Sequence, residues 1–200
     1  MTQKGGRMAA EQKVRFGLSK LHFAELTADG KAAKPWPNIG AKSVSVSNGS
    51  SSSMSIPADN NPNFFTKSGG ASGKEYEFEA TRFVRDFYTK ILGQTKDATT
   101  GALVESVDDV AKQFAVGFEI SGDLGGYRVW VLNCAATGVP TYSANTNTEG
   151  SLSESSEKLS VKASSIKCKD GKERTVVTFE PGDAGYATAF DAVPFLAAAA

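Results

Sequence analysis

Apolar and polar residues alternate with a period of two along most of this chain, and no other feature constrains the fold as strongly. Val14, Phe16 and Leu18 alternate with polar residues or glycine near the start, and in a predicted strand from Lys74 to Ala80, Tyr76 and Phe78 alternate with three glutamates. Later runs with strand character cover residues 113–120, 127–136, 152–166 and 175–179. The first two of these runs, joined by a turn at residues 122–126, are expected to form a hairpin. Because successive side chains of an extended strand point to opposite faces of a sheet, these runs predict about eight strands.

One segment has helical spacing instead. Phe83, Phe87 and Ile91 recur every fourth residue, with Thr81 placed to cap the first turn and Gly93 to end the last. The sequence therefore predicts a helix from about Thr81 to Leu92. Many strands joined by hairpin-type turns, with one helix, predict a mostly-β domain, a β-sandwich or barrel-like fold with one flanking α-helix. We expect one domain over residues 13–180, with a flexible N-terminal arm at 1–12 and a C-terminal extension at 181–200.

A serine-rich segment runs from Ser43 to Ser55 and contains the dipeptide Asn48-Gly49 between two alternating runs. Asn-Gly favours the type I′ turn of a two-residue hairpin, so the sequence predicts a hairpin at this position. Residues 57–73, rich in Asn, Pro and Gly, are interpreted as a loop. The predicted hairpin has little apolar surface of its own, so it should gain stability by lying on another surface.

Composition and motifs exclude several classes of function. The 22 basic and 22 acidic residues balance, which argues against a sequence-specific DNA-binding protein. No apolar run approaches the roughly 20 residues that cross a bilayer, and Met1 to Lys13 lacks the apolar core of a secretory signal. The single histidine, His22, is interpreted as a structural residue, and Cys134 and Cys168 as buried thiols. No catalytic or phosphate-binding motif is present, so we expect neither an enzyme nor a cofactor.

Charge is unevenly distributed along the chain. Glu75, Glu77 and Glu79 fall on one face of one strand, roughly 7 Å apart. That stripe is either an ordinary solvated sheet face or a wall that repels polyanions. Basic residues dominate the first twenty positions, whereas acidic residues dominate 97–123. Segregated charge of this kind suits head-to-tail assembly, in which unlike surfaces meet.

Several segments, taken in order, resemble the major tail protein family of long-tailed, non-contractile bacteriophages (siphophages). They are the opening KVRFGLSKLHFA at 13–24, Ala58-Asp59-Asn60, the helix after the Glu-rich strand, the run 114–119, and Leu132-Asn133-Cys134 followed by Ala and Thr. The resemblance extends from about Lys13 to Ile166. The serines 51–53 and the alanine-rich end at 195–200 depart from it.

The resemblance implies a tail tube subunit. Such a structural virion protein self-assembles into hexameric rings, and the stacked rings form the conduit through which DNA is ejected. The lumen of such tubes is typically acidic, so the resemblance implies that Glu75, Glu77 and Glu79 line the channel. It further implies tape measure and tail terminator or tail tip proteins as partners, passage of double-stranded DNA without specific binding, and assembly in the host bacterial cytoplasm.

The resemblance also implies a long loop that reaches neighbouring subunits or rings. Its candidate residues are Ser47, Asn48, Gly49, Ser50, Asp59, Asn60, Phe64 and Phe65. The alternative function is a non-catalytic β-sandwich binding module, of the carbohydrate-binding or of the capsid- or tail-decorating kind. For that module, Trp36 with Phe64-Phe65 would supply an exposed aromatic platform.

Overall fold

The computed structural model describes residues 15–48, 53–58, 61–68, 73–123, 125–144, 146 and 154–199. Within these ranges the strands are β1 (Arg15–Glu25), β2 (Trp36–Asn38), β3 (Ala41–Asn48), β4 (Ser53–Ala58), β5 (Asn61–Ser68), β6 (Lys74–Ala80), β7 (Thr95–Lys96), β8 (Leu103–Val104), β9 (Phe114–Gly122), β10 (Tyr127–Ala136), β11 (Thr141–Ser143), β12 (Ser156–Ala163), β13 (Ile166–Lys167), β14 (Glu173–Arg174) and β15 (Val176–Phe179). The helix of the described ranges, α1, spans Arg85–Lys90.

One large antiparallel sheet organises the molecule. Its strands follow the order β2-β1-β9-β10-β12-β6-β3, with β15 also paired to β10 and β11 to β12. Strand β1, near one end of this order, contacts β3 at the other end. The sheet therefore curls toward a barrel, and the predicted mostly-β, sandwich-like fold with one helix is confirmed. The predicted hairpin formed by β9 and β10 is also confirmed.

The main hydrophobic core fills the inside of the curled sheet. Alternate residues of β1, β6, β9 and β12 point into it, because each of these strands follows the period-two pattern. Phe87 from α1 lies among the rings of Phe23, Phe83 and Phe114. Helix α1 thus plugs one side of the core rather than forming a layer of its own.

The helix is shorter than the predicted span from Thr81 to Leu92, and that prediction was wrong at the start. The amide of Thr81 donates to Gly40 O at 2.8 Å, and Val84, in extended conformation, takes the N-cap position. Asn38 Oδ1 accepts from Val84 N at 2.8 Å, and Glu157 Oε2 accepts from Phe83 N at 2.7 Å. These side chains, from distant parts of the sequence, satisfy the amides of Phe83 and Val84, which precede the helix as the structure has it.

The helix ends at Lys90, two residues before the predicted end at Leu92. Gly93, the predicted stop residue, does have a left-handed backbone. Its φ is +79°, and a Cβ at this position would lie 2.7 Å from Val110 O. Glycine is therefore required both by the left-handed backbone and by the close approach of the next loop.

The predicted hairpin around Asn48-Gly49 was wrong, because among the described residues the strands on its two sides do not pair with each other. Strand β3 pairs with β6, from Ala41↔Ala80 to Asn48↔Lys74, and β4 pairs with β5. The predicted loop at 57–73 contains β5 in addition. The register brings Val44 beside Phe78 at the main core, and a local β3–β4 hairpin would not bury that valine. Long-range packing therefore prevails over the local turn signal.

A second, smaller core lies on the outer side of β1, β9 and β10. Trp130 is fully buried there, and the C-terminal residues Val193 and Leu196 cover it. Trp130 Nε1 donates to Ala189 O at 2.6 Å, and the ring of His22 stacks on Phe190 at 4.5 Å. The segment predicted as a C-terminal extension is thus an integral part of the fold.

Candidate functional site

The three glutamates predicted as a stripe do lie on one face, in the middle of a larger polar surface. Strand β6 runs between β3 and β12, and each glutamate is directly opposite one residue on either side. We call this surface the polar face. It consists of three rows: Ser43, Ser45 and Ser47 on β3; Glu75, Glu77 and Glu79 on β6; Lys158, Ser160 and Lys162 on β12.

The carboxylates of the polar face are accompanied by lysines. Glu75 and Glu77, each about half exposed, lie 3.5 Å from the Nζ atoms of Lys162 and Lys158 respectively. Lys42 Nζ lies 3.4 Å from Glu79. Because each glutamate has a cation within 4 Å, the expected acidic wall is offset by a lysine row. Sequence reasoning missed this row because Lys158 and Lys162 lie about eighty positions away.

Glu79 is the most constrained carboxylate of the polar face. Ser156 Oγ donates to it at 2.6 Å, and Ser43 Oγ at 3.4 Å. The hydrogen bond from Ser156 lowers the pKa of Glu79, and Lys42 lowers it further, against the opposing effect of partial burial. This glutamate therefore stays ionised well into the acidic range and keeps the polar face hydrophilic.

The strands β4 and β5 form a separate two-stranded ladder, which we call the paired-strand arm. Its pairing nearly continues that of β3 with β6. Between the pair Asn48↔Lys74 and the pair Ser53↔Ser68, the numbering advances by five residues on the first side and decreases by six on the second. The last pair, Ala58↔Asn61, flanks positions 59–60. Strand β4 alone spans about 20 Å at 3.4 Å per residue.

The predicted loop residues that the structure describes lie at the end of β3 and in the paired-strand arm. Ser47 and Asn48 end β3, and Phe64 and Phe65 belong to β5. Gly49, Ser50, Asp59 and Asn60 lie outside the described residues.

Trp36, predicted as one part of an aromatic platform, is not freely exposed. It is half-buried on β2 and packs against the main core. The Lys90 ammonium lies 4.9 Å from its ring centroid and covers one of its faces. The structure therefore gives the aromatic platform no support at this residue.

A buried charged cluster was not predicted from the sequence. Glu119, 9% exposed, accepts hydrogen bonds from Lys20 Nζ at 2.9 Å and Arg128 Nε at 2.8 Å. Burial raises the pKa of Glu119, but the bonds from Arg128 and Lys20 outweigh it, and the net pKa is lowered. Arg128 Nη1 also donates to Tyr186 O and Ala187 O, so it ties the C-terminal segment to the sheet.

The described ranges offer no metal-binding cluster. They contain no group of three or more His, Cys, Asp or Glu side chains that could hold a metal ion. Both cysteines are buried and unpaired, and burial raises the pKa of the Cys134 thiol. In the same ranges no helix has the length and apolarity needed to traverse a bilayer. Comparison with known proteins finds no family model and no curated sequence that matches this chain.

Proposed function

We propose that this chain is a structural virion protein that self-assembles into the stacked hexameric rings of a phage tail tube, the conduit for DNA ejection. The observation that carries the proposal is the paired-strand arm, which continues the register of the β3–β6 ladder beyond the main sheet. The ordered resemblance to siphophage tail proteins supports the kind of assembly, and the sandwich-like fold supports it at the level of architecture.

The paired-strand arm has the physical character of an assembly element. A two-stranded ladder alone is at best marginally stable in water, and each of its strands has an edge that no third strand of the described ladder covers. Addition of strands from a neighbouring copy would satisfy those edges. Such an arm suits contacts between rings, as the resemblance implies for the long loop of this family.

The polar face suits the wall of the channel. Its glutamate row lies beside the row that contains Lys158 and Lys162, with 3.5 Å between the charged atoms, and its serines add small neutral donors and acceptors. Double-stranded DNA passing this surface would meet no continuous basic strip, which is what strong backbone binding requires. We place Glu75, Glu77 and Glu79 on the channel surface for that reason.

Removing the paired-strand arm should abolish tube formation without unfolding the subunit. The variant joins Asn48 to Lys74 through Asn-Gly, so that the existing Asn48↔Lys74 pair closes a two-residue hairpin. We expect the purified variant to show an unchanged circular dichroism spectrum and a cooperative melt. Electron microscopy should show tubes or stacked rings for the wild type and none for the variant.

A second shortened chain serves as the control for this deletion. Removing Thr99 and Thr100 from the exposed turn between β7 and β8 alters a loop of the same domain away from the arm. That chain should still form tubes. Tubes of the arm-deleted variant would contradict an inter-ring role, and a wild-type chain that stays monomeric at high concentration would favour a binding module instead.

Replacing Glu75, Glu77 and Glu79 together by glutamine should leave assembly intact. The three side chains point away from the main core. The ion pairs of Glu75 and Glu77 are exposed and contribute little to stability. Glu79 is partly buried, but glutamine at this position keeps an amide oxygen that can accept the hydrogen bond from Ser156. We expect tubes of unchanged diameter that retain added short double-stranded DNA more strongly in low salt, because Lys158 and Lys162 are then unopposed. Loss of assembly would instead place the glutamates in a contact between subunits.

The remaining partners follow from the same proposal. A tube of this kind contains a tape measure protein and ends at terminator and tip proteins, and its location is the virion after assembly in the host cytoplasm. Co-purification of the chain with phage tails would test that location directly.

A further inference from the structure

An acidic groove lies at one end of the sheet. Its apolar walls are Leu92, Ala111, Ala136 and Val139, and its acidic rim is formed by Glu105 and Asp109. The loop that carries the rim also exposes Val107 completely and Val110 by 76%. An apolar groove with an acidic rim suits a basic peptide that has a small apolar centre.

The acidic rim differs from the polar face in its charge balance. The glutamates of the polar face have lysines beside them, whereas Glu105, Asp108 and Asp109 have no ion pair within the described part of the chain. Asp109 Oδ2 accepts from Ser106 N at 2.8 Å, and Glu105 Oε2 accepts from Gln94 Nε2 at 3.4 Å. Neither bond neutralises the charge, so negative charge is left unopposed at this groove.

The chain itself contains a segment of complementary chemistry. Residues 1–14 carry Lys4, Arg7 and Lys13 against Glu11, and Met8-Ala9-Ala10 forms an apolar centre between the basic residues. Fourteen residues can span at most about 46–50 Å. The segment is therefore long enough to cross from one copy to the next.

The direction of the strands places Arg15, the residue that follows this segment, at the opposite end of the sheet from the groove. Strand β1 begins at Arg15, which pairs with Gly122 at the end of β9, and it ends at Glu25, which pairs with Phe114. Ala111 precedes Phe114 by three residues, and Ala136 is the last residue of β10, so the groove lies at the Glu25 end. The eleven residues of β1 separate the two ends by about 30 Å or more.

We propose that the acidic groove binds the basic N-terminal segment, residues 1–14, of a neighbouring copy stacked head to tail. Stacking places the Arg15 end of one copy against the groove end of the next, so the segment enters the groove without reversing its direction. Lys4, Arg7 or Lys13 then pairs with Glu105 and Asp109, and Met8-Ala9-Ala10 covers the apolar walls. This inference rests on the self-assembly in the proposed function, but it does not depend on a closed ring or tube.

Cysteine cross-linking of full-length chains tests the pairing. One chain carries Ala9→Cys, which keeps every basic residue, and the other carries Val107→Cys at a fully exposed position. The native cysteines are buried and contribute little background. Mixing the two chains under mild oxidation should give a disulfide-linked dimer on a denaturing gel, and the dimer should form more slowly as salt is raised.

Charge removal in the groove supplies the decisive comparison. Adding Glu105→Gln and Asp109→Asn to the Val107→Cys chain should slow cross-linking about tenfold. The matched control is Glu180→Gln with Asp183→Asn, because Asp183 Oδ2 accepts from Glu180 N at 2.8 Å as Asp109 Oδ2 does from Ser106 N. That control should leave the rate within about twofold of the parent.

Three results would overturn the inference: no dimer, an equal rate with and without the groove substitutions, or a disulfide that forms only within a chain carrying both cysteines. The gel readout also separates this inference from the proposed function. Tubes in the microscope without the cross-link would support the proposed function and contradict the groove pairing. Cross-linked dimers without tubes would support the groove pairing and contradict the proposed function.

Discussion

Replacing Phe87 with alanine is expected to lower the free energy of unfolding by about 3–5 kcal/mol. Phe87 is fully buried, and its ring centroid lies 4.8 Å from that of Phe23, 5.4 Å from Phe83 and 5.7 Å from Phe114. Truncation removes the centre of this aromatic cluster and leaves a cavity that β1 and β9 cannot close without breaking their ladder. Helix α1 has six residues, too few to be stable alone, so its attachment depends on this ring.

Urea unfolding monitored by intrinsic fluorescence gives the measurement for Phe87. Phe16→Ala is the matched control, since Phe16 is also a phenylalanine but lies on β1 with 57% of its surface exposed. Its replacement should change the free energy of unfolding by no more than about 0.5 kcal/mol. Equal losses for the two variants would show that the core does not depend on the cluster. A small loss for Phe87→Ala would mean that α1 is not held by packing.

Local patterns predicted the strands well because alternation is a property of neighbouring residues. Strand β10 was predicted over residues 127–136 and spans Tyr127–Ala136, and β6 begins and ends as predicted at Lys74 and Ala80. The face occupied by Glu75, Glu77 and Glu79 followed from the same alternation. The left-handed backbone of Gly93 was also predictable locally, although the helix itself ends at Lys90.

Features that depend on distant partners could not be predicted in this way. Asn48-Gly49 favours a turn, but the pairing of β3 with β6 buries Val44 and prevails. The start of the helix is decided by the buried side chain of Asn38 and the half-buried side chain of Glu157. In each case the deciding contact joins residues more than thirty positions apart, where sequence spacing carries no information about distance.

The neutralised polar face and the buried charged cluster illustrate the same limit for charges. A glutamate on an alternating strand has the same sequence pattern whether its neighbour across the sheet is lysine or serine. Glu119 and Arg128 are paired across β9 and β10, and this pairing was recoverable once the β9–β10 hairpin was predicted. The burial of these two residues could not be predicted, because the segment that covers them, residues 186–190, is distant in the sequence.

Replacing Arg128 with methionine is expected to lower the free energy of unfolding by about 3 kcal/mol, the lower end for one partner of a buried ion pair, because Lys20 remains. Glu119 would keep its buried charge with one cation instead of two. The carbonyls of Tyr186 and Ala187 would lose their donor. We expect faster hydrogen exchange and proteolysis around residues 186–199, measured beside urea unfolding.

The pH dependence of the same variant has a definite sign. In the wild type the folded-state pKa of Glu119 is lowered, so its contribution is present above the unfolded value of about 4.3 and is lost as pH falls through the folded value. Without Arg128, burial should dominate and raise that pKa. Protonation then relieves the buried charge, and the difference in stability between wild type and Arg128→Met should shrink as pH falls from 7 to 4.

Two comparisons decide whether the buried charge is the cause. The double variant Glu119→Gln with Arg128→Met removes that charge and should recover about 1 kcal/mol relative to Arg128→Met alone. Arg174→Met is the matched control, because Arg174 makes two 2.7 Å bonds to Asp170 at the surface and also stacks on a C-terminal aromatic ring, Phe195. Its loss should be smaller and should not shrink between pH 7 and 4. Equal losses for the two arginines, with no recovery in the double variant, would attribute the effect to ring stacking instead.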